Sequence, residues 1–574
     1  MPVNIGISVF IQGKENSMNH LMYHYKALDG AVAEVLRRQC MDETSAIYGA
    51  IEQLDKGYTG GHSAIGAARQ LIDGYYTPEC AYYHDRQLLE RAAAAIDFAA
   101  SMQHEDGTLD LFETNFHDGA ETAFIIQNIG PSYIMMRERM GDTPEEQILD
   151  QKLMAFVHNC ADGILNGGFH TPNHRWVLSA ALALCYKLTG REECMVRVRQ
   201  FLDEGIDCDE EGEYTERSAG VYNIVCDRAL ITLAKYCGMT ELYDHVTRNL
   251  NMVMKYFEPD RTINTLNSTR QDVGTAPDWR IYYGCYYYMA LQTGNAEFKW
   301  IADTMLAQTM GAYAMLCATT PPIPYFEYLP FLAFDPELMA KAETMTASAE
   351  PDLNYVKLFE KSGIVRARKG DFSMTLVKER PIFAMLQYKN HVAYLRLAGS
   401  FYAKGQFAAQ TLEETESGFL MTYKMRWGYK GVMPTKPSTS VWADMDHSLR
   451  PDIHMQDYIL KVHVTFCENS AEFEIVSEGV ECVPTKLEIM LAPGGNYVTD
   501  SVEINARGGE YFYQKSDKSE YRYSDHHKLC ISGGYHKDSY GEAMRGTLMR
   551  DDQSVFIAMT QATPVKEKVT LTFC

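Results

Sequence analysis

Two stretches decide how this chain is read: EYTERSAGVYNIVCDRALITLA (Glu213–Ala234) and, before it, TPNHRWVLSAALAL (Thr171–Leu184). Each opens on polar, reactive side chains and then runs into a nearly all-apolar helical pattern. That order predicts a buried helix with chemistry at its N-terminal mouth.

Working outward, apolar residues recur at helical spacing from about 19 to 316, broken by short Gly, Asp, Pro or Asn signals, as in YHDRQLLERAAAAIDFAASMQ (Tyr83–Gln103) and TPEEQILDQKLMAFVHNCADGIL (Thr143–Leu165). Amphipathic segments such as REECMVRVRQFLDEGI (Arg191–Ile206) alternate with apolar ones such as 221–236, the pattern of an outer ring of helices packed around an inner one. An α/α toroid or incomplete barrel is therefore expected over 1–320. Prolines at 321, 322, 324, 330, 336 and 351 exclude a long helix or a central strand, so 321–352 reads as a linker. The period then changes to two, in YILKVHVTFCE and AEFEIVSEGVECV for example, with Gly- and Asp-rich turns between. An antiparallel β-sandwich is expected over 353–574.

With 53 Lys and Arg against 76 Asp and Glu, the formal charge is −23. Such a surface repels nucleic acid and anionic membranes, so an anionic substrate needs a local basic pocket and short substrates are favoured. The stretch MPVNIGISVFIQGKENS lacks the features of a secretory signal, no run approaches a membrane span, and the 14 cysteines are scattered without CxxC pairs. A cytoplasmic protein with buried free thiols is the expectation, and its sequence is compatible with a homo-oligomer.

Thr171 followed by Pro172 reads as an N-cap and first helical position, which puts Asn173 and His174 in the first turn. There the positive end of the helix dipole favours a neutral imidazole, and unpaired backbone N–H groups favour an anion. In the second stretch, Glu213, Glu216, Arg217 and Ser218 lie at or before the helix start, with Tyr222 following. An arginine beside the phenol, Arg217 being the nearest in sequence, favours its ionised form and can hold an acidic group. Two polar loops add candidates for cleft walls: Asn115, His117, Asp118 and Glu121 in one, Asn267, Arg270, Gln271, Asp272, Asp278 and Arg280 in the other. Asp525-His526-His527 and Asp444, Asp446, His447 carry metal-ligand types, but the first histidines are adjacent in an apparent loop, and no metal is expected.

Together the two helices resemble those of the heparinase II/III-like polysaccharide lyases, the oligoalginate lyases among them, which join an α/α toroid to an antiparallel β-domain. In that family an Asn-His pair opens one inner helix and a Tyr stands on another, much as Asn173-His174 and Tyr222 lie 49 residues apart here. The resemblance implies β-elimination next to a uronate carboxylate, with neither metal nor organic cofactor; a cytoplasmic chain meets imported fragments rather than polymer, so action from the chain end on short oligosaccharides is expected. The resemblance also implies Asn173, with His174 or an arginine, holding the carboxylate; Tyr222 as proton donor to the leaving oxygen and candidate base; and His174 as the other candidate base. Arg175, Glu216, Arg217, Arg270, Asn115 and His117 are the expected substrate-binding residues. The family's β-domain histidine has its nearest counterpart in KNHVAYLRLAGSFYAKGQF, at His391. A glycoside hydrolase on the same scaffold is the alternative, with Glu213, Glu216, Asp272 and Asp278 as available carboxylates; a non-catalytic carbohydrate-binding protein is a third.

Overall fold

The computed structural model describes residues 20–51, 57–316, 328–333, 335–540 and 544–574, with backbone alone for 310–316. The N-terminal stretch to residue 17 and prolines 321, 322 and 324 lie outside the described residues.

The helices are α1 (His20–Arg38), α2 (Gly61–Tyr76), α3 (Arg86–Ser101), α4 (Gly119–Arg139), α5 (Pro144–Asn166), α6 (Pro172–Thr189), α7 (Glu192–Asp203), α8 (Tyr222–Cys237), α9 (Leu242–Val253), α10 (Tyr283–Thr293) and α11 (Ala296–Leu316), with the short α12 (Leu329–Ala333) and α13 (Pro336–Thr344) after them. Consecutive helices pair as hairpins: α2 with α3, α4 with α5, α6 with α7, α8 with α9, α10 with α11. Even-numbered helices α2, α4, α6, α8 and α10 touch in succession and form the inner ring, while α3, α5 and α7 follow one another outside. Burial matches this placement. The inner α6 buries every residue from Trp176 to Cys185, whereas the outer α7 buries only the stripe Cys194, Met195, Val198 and Phe201. The α/α toroid expected from the alternation of apolar and amphipathic segments is what the chain forms.

The second unit holds two sheets. One runs in the order Tyr511–Tyr513, Val555–Ala562, Pro484–Leu491, His391–Gly399, Ile382–Tyr388, Phe372–Val377, Ile364–Lys369, Tyr355–Phe359. The other runs Glu503–Asn505, Asn496–Val498, Lys518–Arg522, Lys528–Gly533, Lys566–Phe573, Ser470–Gly479, Asp452–Phe466, Gly418–Lys430, Thr411–Thr415. Inward residues of both, such as Leu395, Ile489, Leu460 and Phe473, share one core, and Phe383 meets Phe473 across it with ring centroids 6.2 Å apart. One pairing departs from the antiparallel expectation: Tyr511–Tyr513 lies parallel to Val555–Ala562.

The compact units also divide differently from a cut near 320. One takes in residues to 254 and 268–351; the other takes in 255–267 and 352–574. A buried charge pair ties 255–267 to the strands. Glu258 Oε1 lies 2.8 Å from Arg366 Nη1, with side-chain exposures of 1% and 0%, and Ser373 Oγ donates to Glu258 Oε2 at 2.5 Å. Asn264 Nδ2 donates to Thr375 Oγ1 at 2.9 Å. Removing one partner of a buried pair strands the other charge, at about 3–5 kcal/mol. Glu258→Gln is therefore expected to lower the denaturation midpoint of the stranded unit by that order of stability, followed by chemical unfolding; an unchanged midpoint would show that 255–267 does not anchor the sheet.

Candidate active site

Thr171 stands at the N-cap of α6 and Pro172 at its first turn, which places Asn173 and His174 at the mouth of an inner helix. The anion that meets this helix end is the protein's own. Glu216 Oε2 accepts from the Asn173 backbone N–H at 3.2 Å and from its Nδ2 at 2.8 Å. Asn173 Nδ2 also donates to Thr171 Oγ1 at 3.2 Å, so both amide protons are engaged and Oδ1 is left buried without a partner. The other oxygen of Glu216 lies 3.3 Å from Arg270 Nε.

Arg270 in turn stacks its guanidinium over the Tyr222 ring, 4.9 Å from the centroid. Gln271 Nε2 donates to the Tyr222 hydroxyl at 2.6 Å. Tyr222 is the first residue of α8, and its backbone N–H is capped by Ser218 Oγ at 3.1 Å. The loop that carries Arg270 and Gln271 is held by Asp272, which accepts from Ser268 Oγ at 2.5 Å and from the Gly220 N–H at 3.1 Å. Thr269 donates from both its backbone N–H and its hydroxyl to the Glu216 carbonyl, at 3.2 and 2.9 Å. Asn173, Glu216, Arg270, Tyr222 and Gln271 thus form one connected cluster.

His174 belongs to it through Arg270, whose charge opposes a second cation there. Burial, then the neighbouring His170 and Arg270, outweigh the attraction of Asp118 and hold the imidazole down at about 4. Its neutrality at ordinary pH has burial as its main cause. Nδ1 is buried without a partner, and Phe124 meets the ring edge-on at 6.2 Å.

Other expected residues lie elsewhere or in other roles. Arg175 turns to Glu204 at 3.1 Å and Asp207 at 3.6 Å and stacks on Trp176, so it is a structural cation away from the cluster. Arg217 is half-buried with φ 50°, and Arg270 takes the place beside the phenol that sequence proximity gave to Arg217. Asn115 donates to Asp118 Oδ2 at 2.8 Å, which N-caps α4. His117 faces Asp106 at 2.7 Å and stacks on His104 at 3.8 Å, remaining largely exposed. Their hairpin is seated on α5 by close backbone approach: a Cβ on Gly107 (φ +83°) would fall 2.0 Å from the Asn159 carbonyl oxygen. In the stranded unit, His391 Nε2 lies 2.7 Å from Asp525 Oδ2 and His527 Nδ1 lies 3.0 Å from it, so the metal-ligand types that converge are these three, without His526. Lys389 Nζ stands 3.0 Å from His527 Nε2 and opposes a further cation. The carboxylate shared between two imidazoles accounts for the trio. Asp525 is held well below the usual carboxylate range, first by its bond to His527.

The residues that sequence reading missed are Phe124 and His170, whose signal was only their proximity to polar motifs. Gln271 was visible as one polar residue in a crowded loop, with nothing to mark it as the phenol's partner.

No protein-family model matches the sequence, and no curated protein matches it. Solved structures match its fold. A heparinase III has a TM-score of 0.53 at 9% identity, over 100% of this chain and 86% of that one. The Paenibacillus xanthan lyase has 0.52 at 9% identity over 98% of this chain, which spans 58% of that lyase's length. A Streptomyces coelicolor A3 chondroitin AC lyase, solved with chondroitin sulphate, has 0.49 at 11% identity, over 98% and 81%. By fold, a helical toroid followed by stacked sheets, this chain stands with structures of polysaccharide lyases.

Proposed function

We propose that this chain is a polysaccharide lyase acting by β-elimination on short uronate-containing oligosaccharides, from the chain end. The observation that carries this reading is the Tyr222 phenol, held by Gln271 under the Arg270 guanidinium at the mouth of an inner helix. In the reaction, the C5 proton leaves to a base, the C4–O bond breaks as C4=C5 forms, and the leaving oxygen takes up a proton. Neutral His174 is the base, and Tyr222 donates the proton. Arg270 faces the charge that develops on the uronate carboxylate. Asn173, whose amide protons are engaged by Glu216 and Thr171, positions Glu216 and through it Arg270.

The hydrolase alternative is disfavoured by how its carboxylates are used. Glu216 is ion-paired and accepts from Asn173, Glu213 accepts from Asn223 at 3.0 Å, and Asp272 braces its loop. Asp278 caps the turn Trp279–Tyr282 and binds Arg280 through both oxygens. Each of the four is thus engaged by a neighbouring residue, which supports the lyase reading over a carboxylate pair working on a glycosidic bond. The net charge of −23 favours short substrates over long polyanions. Among the described residues no helix is long and apolar enough to cross a membrane.

Incubation with saturated oligouronates is expected to yield products absorbing in the near ultraviolet, from the double bond conjugated to the carboxylate, with no rapid fall in polymer viscosity. Products without that chromophore would mean hydrolysis, and a rapid viscosity drop would mean internal cleavage. Tyr222→Phe is expected to lower kcat by about 10²–10⁴-fold with the fold intact, since only the phenolic proton is lost; near-full activity would remove Tyr222 from the chemistry. His174 is neutral above about 4 and protonated below it. The acid limb of kcat/KM is therefore expected near pH 4, and a limb at the ordinary imidazole value of about 6.5 would assign the base elsewhere.

A further inference from the structure

The proposed chemistry uses the mouth of the inner ring and leaves unexplained a cavity between α2, α4 and α8. This cavity, of about 160 Å³, is lined by His62 of α2, Phe124, Gln127 and Asn128 of α4, and Val225 and Arg228 of α8. It adjoins the reacting groups at two points. Phe124 is the residue whose ring meets His174 edge-on, and Val225 lies one turn below Tyr222 on α8.

Its walls are chemically specific. Gln127 Nε2 and Asn128 Oδ1 are buried atoms without hydrogen-bond partners. A buried donor and a buried acceptor left unpaired destabilise the empty fold unless a ligand meets them. Sugar hydroxyls both donate and accept, so the hydroxyls of one ring can answer both atoms. Phe124 and Val225 offer an apolar wall to the C–H face of a pyranose. His62 is fixed at the rim by Glu121, Nδ1 to Oε1 2.7 Å, with Glu121 itself 8% exposed. Arg228 brings a cation to the same lining. The volume falls well below the roughly 300–1,000 Å³ of pockets that enclose drug-sized ligands, which limits the occupant to a single ring.

The geometry points to a terminal-uronate subsite: this cavity takes the end sugar of the substrate, with Gln127 and Asn128 binding its hydroxyls and Arg228 on the side of its carboxylate. The inference rests on the lyase reading for the identity of the sugar, and it supplies the physical reason for action from the chain end.

The test is titration calorimetry of the full chain with glucuronate, galacturonate and mannuronate, each against its neutral hexose, alongside steady-state kinetics on oligouronates. Wild type is expected to bind at least one uronate in preference to its hexose. Gln127→Leu and Asn128→Leu, near-isosteric changes checked for folding by thermal melting, should each weaken that binding and raise KM by about tenfold, the loss of one hydrogen bond, with kcat little changed. Gln127→Glu keeps the shape and reverses the donor, and is expected to weaken uronate binding further. Should either leucine variant unfold, Gln127→Glu alone carries the test. Uronate binding that these variants weaken, without any unsaturated product, would uphold the subsite and sink the lyase. Unsaturated product with KM unmoved in the folded variants, or no binding of any of the three uronates by wild type, would overturn the subsite.

Discussion

The site hangs on one buried carboxylate. Glu216, 4% exposed, receives the Asn173 side chain and the first-turn N–H of α6 on one oxygen and faces Arg270 with the other. A charge in that position is tolerable only because a helix end, an amide and a guanidinium meet it together. The same arrangement ties three separate parts of the chain: the mouth of α6, the approach to α8, and the loop 268–272. The Glu216 carbonyl ties the same loop a second time, through both donors of Thr269.

Rigid placement of Arg270 follows, and with it the placement of Tyr222. A phenol at the first position of a helix has an exposed side and a backbone that frays; Ser218 caps that backbone, and Arg270 and Gln271 hold the ring and the hydroxyl. Below the loop, Tyr282 donates to the Ala219 carbonyl at 2.7 Å, so the segment between Ser218 and Tyr222 is braced from the inner ring as well. Such bracing keeps the phenol within a fixed geometry without help from a substrate, which is what the general-acid role proposed for it requires.

His174 shows how the scaffold sets protonation. An imidazole in water is half-charged near neutrality; burial against Phe124, with Arg270 and His170 close by, makes a cation unfavourable there and leaves a neutral ring. The inner ring of helices supplies that burial, since α6 has neighbours on both sides and another helix behind it.

Much of this was legible in the sequence. Helical period up to about 316 and strand period beyond the Pro-rich segment come from local burial patterns, which each segment carries in itself; so do the Thr171-Pro172 cap and the mouth positions of Asn173, His174 and Tyr222. Side-chain partnership is a different matter, because an arginine reaches as readily to one carboxylate as to another and only the packed backbone chooses. Arg175 went to Glu204 and Asp207, while Arg270, 48 residues after Tyr222, took the place beside the phenol that proximity suggested for Arg217. Likewise 255–267 is tied to the strands by Glu258 and Arg366, 108 residues apart in sequence, and Tyr511–Tyr513 pairs in parallel with Val555–Ala562, a partnership across about forty residues that no local pattern specifies. Sequence by itself determined which segments are helix or strand and which polar residues open the inner helices; tertiary structure alone decided which charges meet, since those contacts join residues whose nearness exists only after the core has formed.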